Sequence, residues 1–188
     1  MGNSIEYELI KDIGEERFKH TLGVVETALK LGRIHNIDLE KVKIAALLHD
    51  CAKFKGNVDW LKLAEDFDII LDNYMKYNND LIHAPLGAKV AKVKYNVEDE
   101  EILNAICYHT TGRENMTLLE KIIYIADYIE PGRNFPRVDE IREKTFEDLD
   151  RGILFAMDNT IKYLVDRGKI IHPNTINARN FMLMKLNL

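Results

Sequence analysis

A chain of 188 residues is long enough for one medium domain with a core of its own. Hydrophobic residues at 46% and charged residues at 30% are the balance of a soluble globular protein, and no apolar run is long enough to span a bilayer. A net charge of −5 excludes a broad basic surface for nucleic acid and argues against electrostatic membrane binding; a small acidic substrate stays allowed, because a few arginines in one cleft outweigh a distant net charge.

The opening stretch, MGNSIEYELI, lacks the basic-then-apolar pattern of a secretory signal, and Gly2 has no convincing myristoylation context. Asn3 with Glu6 predicts a cap for a short first helix that Gly14 stops. A long helix follows from about Glu15 to His35, with Phe18, Leu22, Val25 and Leu29 as one apolar stripe and Val24, Ala28 and Leu31 as a second. Apolar residues on two sides predict a buried helix. Asp38 is the expected N-cap of a third helix running to about Ala52, with Val42, Ala45 and His49 on one face. Asn57 is expected to open a fourth around Trp60 and Leu63, and Phe67 to Asp80 reads as a helix or an ordered loop.

Pro85 sits where a helix starts, with Leu86, Val90 and Val93 behind it. Glu98 to Tyr108 is the next predicted helix, acidic at its start and stopped by Gly112. Thr117 and Glu120 predict a capping box for the helix carrying Ile122, Ile123 and Ala126, which Pro131-Gly132 ends. A short helix near Ile141, a long one with Leu149, Ile153, Ala156, Thr160 and Leu164, and a last one after Asn174 complete the pattern. No alternating β run, repeat or linker interrupts it, so the chain reads as one all-α domain over residues 1–188. Cys51 and Cys107 lack metal-type spacing, which predicts two free thiols in a reducing cytoplasm.

Chemistry concentrates in the histidines. Of six, His20, His49, His83 and His109 fall at helix positions beside apolar neighbours. Taken singly, each is an ordinary satisfied core histidine. His49 and Asp50 are adjacent, and on a helix consecutive side chains point about 100° apart, so one ion between them would engage both. A buried carboxylate beside a buried imidazole is costly unless a cation compensates. Asp127, four residues after Ile123, repeats that situation on another apolar face. His20, His49, Asp50 and Asp127 make one candidate site with two nitrogens and two oxygens, leaving positions open as a catalytic ion requires. His83 and His109 could hold a second ion with Asp50 bridging, and two close ions clamp a phosphoryl group. Imidazole and carboxylate without thiolate suit iron, manganese or zinc.

Phosphate charge needs cations of the protein. Lys53, four residues after His49 and three after Asp50, is expected on the same helical side. Arg113 follows His109 by a short loop, Arg133 follows Asp127 similarly, and Arg17 lies one turn before His20. Each is a candidate phosphate contact, with a surface ion pair as the plain alternative. Thr110 joins them from the same loop as Arg113. His35 and His172 fall outside the constellation, and Cys51 reads as a small buried hydrophobe. Trp60, Tyr74 and Tyr77 read as core aromatics before base-stacking ones.

Five motifs, R-F-K-H-T-L-G at 17–23, A-L-L-H-D-C-A-K at 46–53, H-A-P-L-G-A at 83–88, Y-H-T-T-G-R at 108–113 and Y-I-A-D-Y-I-E-P-G-R at 124–133, stand in the order of the HD-domain phosphohydrolases. The chain most resembles their YqeK-type branch of symmetrical diadenosine tetraphosphate hydrolases. The resemblance covers Arg17 to Arg133; after about Asp139 no motif matches. It implies an all-α HD fold, two metal ions usually described as iron, ligands at His20, His49, Asp50, His83, His109 and Asp127, and cleavage of diadenosine tetraphosphate to two ADP. Competing readings are an HD-type nucleotidase, a guanosine polyphosphate hydrolase, and a nucleotide-binding regulatory module without turnover. A one-metal nucleotidase would leave His83 and His109 without a purpose. Helix faces left over, such as the Leu149 to Leu164 stripe, could pack internally or form a homodimer.

Overall fold

The computed structural model describes residues 5–186, so the expected Asn3 cap lies outside them. Among the described residues there are eleven α-helices and no strand. The all-α expectation holds, and no helix is long and apolar enough to cross a membrane. The helices are α1 (Ile5–Ile13), α2 (Glu15–Ile34), α3 (Leu39–Leu48), α4 (Trp60–Asp66), α5 (Asn73–Tyr77), α6 (His83–Lys94), α7 (Glu100–Tyr108), α8 (Leu118–Ile129), α9 (Val138–Glu147), α10 (Leu149–Asp166) and α11 (Pro173–Leu186).

Side-chain caps set most of the starts. Asp38, Asp59, Asp72, Asp99 and Asp148 each accept backbone N–H bonds at the head of α3, α4, α5, α7 and α10. The start of α4 is therefore Asp59, not Asn57, and α7 begins after Asp99. The Thr117–Glu120 capping box of α8 forms as expected.

The core is built by α2, α3, α7 and α8, which pack on one another, with α6 laid against α7. Val24, Ala28 and Leu31 of α2, Ala45 and Leu48 of α3, Ile106 of α7, and Ile122, Ile123 and Ala126 of α8 are fully enclosed. Only one of the two stripes expected on α2 is core. Phe18, Val25 and Leu29 are half-buried, and Leu22 is 47% exposed, because α2 lies at the edge of the bundle. The later helices stack outward: α9 and α10 on α8, and α11 on α10. Leu149, Ile153 and Ala156 of the α10 stripe are buried in these contacts. Gly152 permits the close crossing of α9 and α10, since a Cβ there would fall 2.5 Å from the Cα of Thr145.

Two further sequence expectations fail locally. The third helix stops at Leu48, not near Ala52, so His49 is its C-cap and Asp50 lies in the following turn. Tyr77, expected in the core, is 82% exposed. Between α3 and α6 the chain is only intermittently helical, and Tyr77 ends the five-residue α5, too short to bury a full face.

Candidate metal centre

The ends of helices place the histidines. A helix leaves its last four carbonyls without intrahelical partners. His49 and His109 are the C-caps of α3 and α7, and each turns its ring back to bond such a carbonyl. His49 Nδ1 lies 2.8 Å from the oxygen of Ala46, and His109 Nδ1 lies 2.6 Å from that of Ile106. His83, the first residue of α6, does the same to Asp80 at 2.5 Å, across the 3-10 turn Asn79–Leu81. A carbonyl only accepts, so Nδ1 carries the proton in all three rings. Each Nε2 is then an unprotonated donor atom facing inward.

Those nitrogens converge on Asp50, whose carboxylate is 1% exposed. Its two oxygens face different partners. Oδ2 lies 3.5 Å from His49 Nε2 and 3.9 Å from His20 Nε2; Oδ1 lies 3.4 Å from His83 Nε2 and 3.5 Å from His109 Nε2. Asp127, from α8, brings Oδ1 to 3.0 Å from His20 Nε2 and 3.8 Å from His49 Nε2. All six residues expected from sequence therefore meet, though the route differs for one pair. His49 and Asp50 are brought together by a helix end and a turn, not by neighbouring faces of a continuing helix.

Polar satisfaction tests whether this set fits a cation. His20 Nε2, His49 Nε2 and Asp50 Oδ1 are buried without a hydrogen-bond partner. His83 Nε2 and His109 Nε2 lie 3.1 Å apart with both Nδ1 protons already engaged, which sets lone pair against lone pair. Thr110 Oγ1, 3.2 and 3.3 Å from the two, has one proton to offer. Native cores rarely leave such groups unmet. A divalent cation relieves them, and the donor atoms fall into groups close enough for a shared ion: His20, His49 and Asp50; His49, His109 and Asp127; Asp50, His83 and His109. The residues present fit divalent metal binding.

The electrostatics agree. Burial, Lys53 and His109 hold His83 well below the usual imidazole range, so it stays a free base, the form a metal requires. Burial opposes ionisation of Asp50, yet His49, His109 and Lys53 outweigh it and hold the carboxyl well below its usual range. Asp127 is likewise held down by His20, His49 and Arg133 against its burial. His49 runs the other way: Asp50 and Asp127 outweigh its desolvation and favour the protonated ring, a pull that a cation between them would remove.

Four of the five predicted substrate contacts line this centre. Lys53 Nζ is 3.2 Å from Asp50 Oδ1, reaching it through the turn after α3 and not along a helical face. Arg17 Nη1 is 3.3 Å from Asp50 Oδ2. Arg133 donates to the carbonyl of Asp127 at 2.9 Å and to its Oδ1 at 2.6 Å. Thr110 stands at the His83–His109 pair. Arg113 does not join them. Its guanidinium clamps the buried carboxylate of Glu120 at 2.7 to 3.1 Å and lies over the Tyr108 ring, because the capping-box glutamate needs a counter-charge once buried.

Sequence reasoning missed two residues. Glu130 Oε1 lies 3.2 Å from His20 Nδ1; its signal was a glutamate at an apolar helix end, three residues after Asp127. Arg142 donates to the carbonyls of Ile129, Glu130 and Arg133 at 2.8 to 2.9 Å and so braces the turn carrying Arg133. No local pattern foretells it. His172 does lie outside the centre: it is buried, 2.7 Å from Asp72 through Nε2, and accepts from the Asn174 N–H. Cys51 is fully buried, its thiol pushed up by burial and donating to the Gly87 carbonyl.

Comparisons with known proteins bear on the same residues. The HD domain family model matches residues 17–132. The symmetrical bis(5'-nucleosyl)-tetraphosphatase of Halalkalibacterium halodurans is 40% identical over 95% of both chains, and that of Bacillus subtilis 39% identical over 92% of both. A crystal structure from Clostridium acetobutylicum, described as a predicted HD superfamily hydrolase involved in NAD metabolism, is 47% identical, with a TM-score of 0.91 over 96% of both chains. The motifs, the helical core and these likenesses coincide on one stretch, and the chain belongs to the HD-domain family, in the branch of the symmetrical bis(5'-nucleosyl)-tetraphosphatases.

Proposed function

We propose that this chain hydrolyses dinucleoside polyphosphates, with diadenosine tetraphosphate cleaved symmetrically to two ADP. One observation carries the reading: the Asp50 carboxylate is divided, one oxygen toward His20 and His49 and the other toward His83 and His109. A carboxylate so divided suits a bridging ligand between two ions. His20, His49, Asp50 and Asp127 would hold the first and Asp50, His83 and His109 the second, iron being the favoured metal and manganese or zinc the alternatives. Divalent ions bound there supply positive charge at the scissile phosphoryl group and acidify water.

The remaining work falls to the chain. Lys53, part-exposed beside Asp50, neutralises a phosphate oxygen or supports the leaving group. Arg17 and Arg133, which now pair with Asp50 and Asp127, would turn to phosphate oxygens if those carboxylates held an ion, a guanidinium offering paired donors. Thr110 donates its hydroxyl from the His83–His109 side. Residues 1–188 act as one domain, with α10 and α11 supporting α8, and the substrate is a small nucleotide met in the cytoplasm.

The test is anaerobic purification, metal analysis per chain, and identification of the products of diadenosine tetraphosphate. ADP as sole nucleotide product is expected. Intact diadenosine tetraphosphate, under conditions where nucleoside monophosphates lose phosphate, would overturn the proposal.

A further inference from the structure

The four imidazoles of the centre are not held alike. His49, His83 and His109 are tethered through Nδ1 to backbone carbonyls, each three residues earlier in the chain. His20 alone is tethered to a side chain, the carboxylate of Glu130. Glu130 is 4% exposed and caps the C-terminus of α8.

The surroundings are shaped for that carboxylate. Gly23 of α2 faces it, and a Cβ at that position would lie 2.5 Å from Glu130 Oε2. Gly132 also lies against it, with a Cβ position 3.0 Å from both oxygens. The Gly132 N–H donates to Oε2 at 2.5 Å, which leaves Oε1 to His20. The nearest cationic side chain is Arg133, whose Nε is 4.0 Å from Oε1. A buried carboxylate with so little direct compensation is expensive. An imidazole that shares its positive charge with an ion on its far nitrogen offsets that expense, and the carboxylate in turn fixes the tautomer and strengthens Nε2 as a donor.

We propose that Glu130 is a positioning residue for one half of the centre: through His20 it secures the ion on the His20–His49–Asp127 side and leaves the His83–His109 side to its backbone tethers. The inference rests on the two-ion reading given above. It makes the halves unequal in affinity, with the stronger donor set on the side that depends on Glu130.

Three variants test it, read by metal per chain, by competition with a chelator, and by the thermal midpoint of the metal-free protein. Glu130→Ala is expected to weaken one ion about 10- to 100-fold and leave the second at wild-type affinity. Glu130→Gln keeps an acceptor for His20 and is expected to recover part of that loss. Gly23→Ala displaces the carboxylate with Glu130 still present and should reproduce Glu130→Ala. Both ions bound at wild-type affinity in Glu130→Ala would overturn the proposal. So would loss of both ions together with a collapse of the metal-free midpoint, which marks a purely structural role. His20→Ala separates the proposal from its foundation. If it leaves ion content at the wild-type value, or if the wild-type chain binds no ion, the two-ion reading falls and Glu130's role with it. If His20→Ala loses one ion and Glu130→Ala loses none, only the role of Glu130 falls.

Discussion

Stripping metal from the protein should lower its thermal stability by an amount the buried atoms themselves set. Three inward-facing donor atoms, His20 Nε2, His49 Nε2 and Asp50 Oδ1, are buried without a hydrogen bond. Each unmet polar group costs about 1–3 kcal/mol, and the metal-free centre is assigned the lower figure, about 3 kcal/mol for the three, because Asp50 Oδ1 also has Lys53 at 3.2 Å and His20 Nε2 has Asp127 at 3.0 Å. That lower figure is close to what mass action returns when free ion stands at about a hundred times its Kd. For a chain of this length, each kcal/mol moves the midpoint by about 2–4 °C, giving a rise of about 6–12 °C on loading. The assay is a thermal melt of chelator-treated protein with and without added iron(II) or manganese(II), beside Asp50→Ala. Asp50 faces both halves of the centre and is proposed as their shared ligand, so the variant should lose the ion-dependent rise. Its metal-free form should still fold, because Arg17 and Lys53 are part-exposed and turn to water when the carboxylate is gone. A wild-type midpoint indifferent to chelation, or a full rise in Asp50→Ala, would refute the reasoning.

Lys53→Ala should reduce kcat/KM by about 10²-fold while metal content holds, since its ammonium stands 3.2 Å from Asp50, beside the proposed phosphate position, and cannot itself be a ligand; loss of metal alongside activity would contradict this. Arg113→Ala should instead cost about 2 kcal/mol of stability by stranding Glu120, and change kcat/KM less than about twofold. A large activity loss without destabilisation would return Arg113 to the substrate. Asp150 accepts from Lys121 at 2.6 Å and from Lys185 at 2.7 Å, joining α8, α10 and α11. Burial opposes its ionisation, but the two lysines prevail and hold the carboxyl below its usual range. A depressed folded-state value contributes stability above about pH 4 that fades as pH falls below it. Denaturation series from pH 7 to pH 2 should therefore converge for wild type and Asp150→Asn at the acid end, and parallel curves would rule the linkage out.

What the sequence revealed and what it hid divide by the reach of the interaction. The capping box at Thr117 and Glu120 lies within one turn and was legible as written. The six converging residues were legible because each combines a polar side chain with apolar company, a conflict visible in the sequence itself. The end of α3 was not: nothing local stops the helix at Leu48, and the His49 ring displaces a continuing turn by taking the Ala46 carbonyl. Arg113's partner was not legible because it depends on Glu120 being buried, which tertiary packing decides. Glu130 meets His20 across 110 residues and Arg142 meets the Ile129 carbonyl across 13, contacts with no periodic signature.

The backbone tethers also bear on how the centre assembles in time. Three of its imidazoles find their orienting carbonyl three residues away, so that geometry forms as quickly as a turn closes. The fourth waits for α2 and the end of α8 to meet, a loop closure of far greater chain separation. During synthesis, the chain through residue 109 already carries His83, His109 and Asp50, while Glu130 and Asp127 are still to come. The His83 side thus has all its donor residues in the chain before the His20 side, whose His20 and His49 still wait for Asp127 and Glu130, an order of completion written into chain connectivity.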